Sequence, residues 1–139
     1  MKSFLNPLLV GAGTEYVLEN VTNGTLVASD LLTAFESKER RQGLLGRDSL
    51  PESTAIIIAP SNAVHTFFMR FAIDIAFVAR DGRVIKMRSS VQPWRLAAAL
   101  RAFAVIELAA GTLERSRTAA GDTLICRAAN NPPDRAIES

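Results

Sequence analysis

Arg47, His65, Arg70, Asp74 and Glu107 are the residues whose types and settings can support chemistry. His65 is the only histidine, and an imidazole titrates near neutrality, where a carboxylate can orient it as a general base. Arg70 and Asp74 lie inside the apolar run His-Thr-Phe-Phe-Met-Arg-Phe-Ala-Ile-Asp-Ile-Ala-Phe over 65–77, and Glu107 sits between Ile106 and Leu108. A charge among apolar side chains is costly unless it pairs, ligates or binds something, so these positions are site candidates. Arg47 ends a segment, 40–47, that crowds Arg40, Arg41 and Arg47 around a short apolar turn. Its guanidinium can fork onto a strand carboxylate, the strong kind of polar contact.

Three chemistries can be written from this set. In the first, arginines and carboxylates form a polar pocket at a barrel mouth that accepts an anionic or hydroxyl-rich ligand. In the second, His65 works with Asp74 or Glu107 in a hydrolase-type or metal-assisted enzyme. Nothing in the spacing demands a metal, so no metal or cofactor is expected. The third uses the basic stretch 80–101, six bases against one acid, as a nucleic-acid face. That stretch offers one aromatic, Trp94, and so no row of stacking platforms for a single strand, which disfavours nucleic acid as partner. Nucleophilic catalysis lacks a G-x-S-x-G elbow. The single cysteine, Cys126, reads as a small core residue and excludes an internal disulfide.

These side chains must be positioned by short strands. Asn23-Gly24 and Asp81-Gly82 tolerate the positive φ of tight turns and mark two β-hairpins, 16–28 and 75–88. Runs 31–35 and 54–59 add strands, and the Ile56-Ile57-Ile58 triplet lacks alternation, as befits a strand covered on both faces. The alanine-rich stretch 95–110 divides into a loop or helical turn over 95–100 and a strand over 102–109. A strand over 123–128 follows Gly121-Asp122. A short helix is expected over 38–45, with Ser37 as N-cap and Gly46 just past its end, and a second over 112–118. Continuous alternation from His65 puts it on the core side with Phe67, Met69, Phe71 and Ile73, and puts Phe68, Arg70 and Asp74 on the other. Glu107 shares its face with Phe103 and Val105. The fold expected is mainly β, a compact antiparallel β-barrel or jelly-roll-like sandwich with one or two short helices.

With 139 residues, 48% hydrophobic and 22% charged, the chain has the size and composition of one globular domain. A loose N-terminal arm is expected over 1–13 and a polar, proline-broken, disordered tail over 130–139. The apolar start is interrupted by Asn6 and Pro7 and preceded by one lysine, a poor secretory signal, and no run is long enough to span a membrane. A cytoplasmic location is the resulting expectation.

The order of motifs resembles one family. Glu39-Arg40-Arg41-Gln42-Gly43-Leu44-Leu45-Gly46-Arg47 is similar to the signature helix of the domain of unknown function 192. It is followed by His65-Thr66-Phe67-Phe68-Met69-Arg70, Ile73-Asp74-Ile75-Ala76-Phe77, Asp81-Gly82 with Val84, Val105 to Gly111, and Gly121-Asp122. The resemblance covers 31–127 and implies a compact β-rich domain without an assigned reaction. Leu45, Ala72 and His65-Thr66 depart from the residues common there. The function expected is a non-catalytic ligand- or protein-binding β module using Arg47, His65, Arg70, Asp74 and Glu107. Its expected partner is a small polar or anionic ligand, or a protein. The enzyme and nucleic-acid readings stand as alternatives.

Overall fold

A computed structural model of the chain describes residues 3–10, 15–35 and 48–129. The helix expected over 38–45, with Arg40, Arg41 and Arg47, and the tail over 130–139 lie outside them. Helix α1 is Asn6–Val10, and strands β1 (Tyr16–Asn20), β2 (Thr25–Ala28), β3 (Asp30–Ala34) and β4 (Thr54–Ile58) follow. Then come β5 (Ala63–His65), β6 (Ile73–Val78), β7 (Val84–Val91), β8 (Leu96–Ala98) and β9 (Ala104–Ala109). The helical turn α2 (Thr112–Arg115) and β10 (Leu124–Ala128) complete the order.

The strands form three sheets, ordered β10-β1-β2, β3-β4-β9-β6-β7 and β5-β8. The mainly β expectation holds, and its geometry is corrected in two respects. Each sheet runs from one edge strand to another, so the described residues form no closed barrel. The central sheet is mixed, because β3 pairs β4 in parallel, Leu32 opposite Ile56. Both hairpins are present, with Gly24 at φ 77 and Gly82 at φ 91. Gly82 is held on a second ground: a Cβ there would sit 2.1 Å from the Leu124 carbonyl oxygen.

Alternation along the central sheet fills two cores. Ile57, Ala76, Val78, Ile106 and Leu108 face the three-stranded sheet and meet Leu18, Val27, Leu124 and Cys126. Phe4 and Leu5, within the expected arm, are buried in this same core. On the opposite face Ile56, Ile58, Ile73, Ile75, Phe77 and Val105 are covered by Leu50, Met69 and Ala97. The isoleucine triplet is buried on both faces, as its lack of alternation requires.

Two sequence expectations fail around β5 and β8. The run from His65 to Phe77 is not one strand: β5 ends at His65 and β6 begins at Ile73. The stretch expected as a loop or helical turn is instead strand β8, pairing β5 with Leu96 opposite His65 and Ala97 opposite Val64. Ala97 is buried against the central sheet and Leu96 is exposed, so this ribbon has a core face and an outer face.

Candidate functional site

The central sheet separates the two carboxylates. Asp74 is opposite Leu108, whereas its neighbour Ile75 is opposite Glu107. Directly opposed residues share a face and adjacent ones do not, so Asp74 and Glu107 project to opposite sides. They form no shared cluster.

Asp74 is committed to the backbone. Its Oδ1 accepts from the Ser90 N–H at 2.8 Å, and its Oδ2 accepts from Gly111 N–H at 3.1 Å and Leu113 N–H at 2.9 Å. Gly111 precedes α2 at φ 94 and offers no side-chain cap, so Asp74 caps that turn from a neighbouring strand. Ser90, at φ 49, lies where the β6–β7 register shifts. The carboxylate therefore pins a bulge and a helical turn at once, which accounts for a fully buried aspartate in structural terms.

Glu107 stands at the centre of the other face, between Ile56 of β4 and Ile75 of β6. It is 2% exposed, and its Oε2 has no hydrogen-bond partner among the described residues. Burial pushes its carboxyl up from 4.5 to about 7, because the charged form loses its water and no described cation offsets that loss. Glu19, also buried, differs in pairing with Arg127.

His65 and Arg70 lie elsewhere. His65 is exposed on the outer face of the β5–β8 ribbon, which corrects its expected place on the core side. The alternation that put it there stops where the strand stops. Its ring stacks on Phe67, centroids 5.0 Å apart. Arg70 pairs with Asp48 at 2.6 Å, both largely exposed, a contact that contributes roughly 0–1 kcal/mol. Among the described residues no three His, Cys, Asp or Glu side chains gather into a metal-binding group. Burial pushes the Cys126 thiol up to about 12, leaving it protonated and inert at neutral pH. A surface pocket of about 240 Å³, lined by Leu26 to Ser29, Glu52, Ser53 and Arg115, includes none of the five candidates.

What gathers instead is a ridge of rings. Phe67 stacks on His65 and on Trp94, the latter at 5.9 Å, and Phe68 meets Trp94 edge-on at 4.6 Å. Phe68 is 69% exposed and Trp94 56%, although both rings are large and apolar. Both also hold left-handed backbone, φ 65 and φ 68, a conformation that costs a non-glycine residue roughly 1–2 kcal/mol. Buried Thr66 clamps the two loops together. Its hydroxyl donates to Gln92 O at 2.7 Å and accepts from Arg95 N–H at 2.9 Å. Its backbone N–H donates to Arg95 O, and its carbonyl accepts from Trp94 N–H and Met69 N–H. Leu96 extends the ridge along the outer face beside His65. Leu100 stands at the far end of the ribbon, where its carbonyl meets the Asn62 amide.

The two segments that build the ridge carry charge of one sign, and the carboxylate of Asp48 reaches Arg70 from outside them. Residues 60–73 and 82–106 contain no Asp or Glu, while Arg88, Arg95 and Arg101 are exposed. Sequence reasoning dismissed stacking platforms because Trp94 stands alone in its own segment. The other rings arrive from β5 and its loop, nearly thirty residues earlier. The Phe67-Phe68 doublet held a usable signal: adjacent side chains in a strand point oppositely, so either the strand ends or one ring is exposed. Both occur here.

The comparisons with known proteins agree with this fold. The DUF192 family model, described as "Uncharacterized ACR", matches residues 18–126. A crystal structure from Sinorhizobium meliloti, described as a "putative transcription regulator", is similar at 20% identity with a TM-score of 0.69, covering 80% of this chain and 91% of that one. One from Novosphingobium aromaticivorans, of unknown function, is similar at 24% identity with a TM-score of 0.66, covering 79% and 82%. No curated protein matches the sequence.

Proposed function

We propose, for a chain that belongs to the DUF192 family, a non-catalytic binding module whose contact surface is the ring ridge around Trp94. The observation that carries this reading is the pair Phe68 and Trp94, exposed aromatics held in left-handed backbone. Neither the strain nor the exposure helps the chain fold, and such combinations concentrate where a surface is built for contact. Tryptophan and arginine are also the residues that dominate contact energetics. Of the five candidates, His65 belongs to this surface and Arg70 follows its loop. Asp74 projects from the other face of the central sheet and supports the fold there, holding Ser90 and α2. Glu107 lies in the core face, and Arg47 lies outside the described residues.

The enzyme alternative draws less support. It needs His65 beside Asp74 or Glu107, yet both Asp74 oxygens are taken by backbone N–H groups. The description of the S. meliloti protein favours nucleic acid, but at 20% identity that likeness carries the fold alone.

No ion pair among the described residues occupies Arg88, Arg95 or Arg101, which favours an anionic partner. Trp94 is the only tryptophan, so its emission reports this surface without labelling. Titration with oligo(dT), poly-glutamate and anionic lipid vesicles is expected to give a saturable emission shift with at least one probe. The shift should be lost in Phe68→Ser. Silence with all three, in a folded protein, refutes the reading.

A further inference from the structure

Resting on that reading, we propose that the ridge docks on an anionic lipid bilayer, its rings and leucines entering the headgroup boundary and its arginines meeting lipid phosphates. Exposed apolar side chains occur along the length of the ribbon. The ring cluster stands at one end of the β5–β8 ribbon, Leu96 and His65 lie on its outer face, and Leu100 stands at the other end. Leu96 is 68% exposed and Leu100 87%. A tryptophan at the boundary with phenylalanine, leucine and arginine around it is the composition of interfacial anchors.

The alternatives fit less well. Bases stack on open ring faces, but here Phe67 is stacked by both His65 and Trp94, and Phe68 abuts Trp94. Exposed leucines add nothing to base stacking, whereas they do add to burial in lipid. A second copy of the chain would bring arginine rims together, and like charges at an interface are costly. Arg88, on β7, lies between the two points where that strand and its loop reach the ribbon: Lys86 Nζ donates to Ala98 O at 2.8 Å, and Gln92 O accepts from Thr66. With Arg95 and Arg101 it gives the ribbon a cationic border that no carboxylate of the described residues neutralises. Phosphodiester headgroups match that border.

Flotation of the full chain with vesicles tests the proposal, using phosphatidylcholine alone and mixed with phosphatidylglycerol. The wild type is expected to float with the mixed vesicles at low salt and not with phosphatidylcholine alone. Arg95→Gln should weaken partitioning about fivefold, the equivalent of about 1 kcal/mol per basic residue at an anionic surface. Leu100→Ser, at a position too exposed to matter for folding, should weaken it roughly tenfold or more if the side chain is fully inserted. No flotation with anionic vesicles overturns the proposal, as does flotation that Leu100→Ser and Phe68→Ser leave unchanged. If Trp94 then answers oligo(dT) or poly-glutamate, the binding surface stands and the bilayer does not. If it answers neither, both fall.

Discussion

Glu107→Gln removes a buried carboxylate that has no cationic partner among the described residues, and its effect on stability should depend on pH. The Glu107 carboxyl keeps its proton in the folded chain up to about pH 7, against an ordinary value of 4.5. Between these values the folded state holds a proton that the unfolded chain has released. Stability therefore falls as pH rises through this window and levels off above it. At 1.36 kcal/mol per pH unit the loss reaches about 3 kcal/mol, a large share of the roughly 5–15 kcal/mol that holds a domain together. Glutamine is nearly isosteric and cannot ionise. Urea unfolding should thus show Glu107→Gln close to wild type at acid pH, and more stable by about 3 kcal/mol above neutrality. Parallel pH curves for the two proteins, or a less stable variant above neutrality, would mean that the carboxylate has a cationic partner and that its burial is compensated.

The other predictions concern buried supports of the fold and the ridge itself. Asp74→Asn turns one acceptor oxygen into a donor facing backbone N–H groups, and urea unfolding should register a loss of about 2–3 kcal/mol. Thr66→Val leaves Gln92 O and Arg95 N–H without their buried partner; the expected loss is about 1–3 kcal/mol, with Trp94 emission altered in the still-folded protein. Phe68→Asn sets about 1–2 kcal/mol of relieved left-handed strain against about 0.5–1.5 kcal/mol of lost ring contact. Its unfolding midpoint should stay near that of wild type while vesicle flotation is lost, separating contact from stability.

Local rules carried the sequence reading where structure is local. Asn23-Gly24 and Asp81-Gly82 make the hairpins their backbone tolerance implies, and the isoleucine triplet is buried on both faces. The reading failed where a distant segment decides. Parallel pairing of β3 with β4 sets Leu32 opposite Ile56, a non-local contact that no turn signal announces. Strand β8 lies in an alanine-rich stretch whose helix propensity is overridden by pairing with β5. Continuous alternation through 65–77 also misled, because the strand stops at His65 and the chain turns, with Phe68 in left-handed backbone, before β6 begins at Ile73. That single break moves His65 from the core side to the outer face. It also assembles a surface from two segments that, read separately, contain no row of aromatics.

Whether the ridge itself meets the bilayer is read most directly from quenching of Trp94 by brominated lipid acyl chains in phosphatidylglycerol-containing vesicles. Docking as proposed gives saturable quenching, strongest with bromines near the headgroup, because interfacial anchors penetrate only about 5–10 Å. An unquenched Trp94 in protein that floats with those vesicles would contradict it.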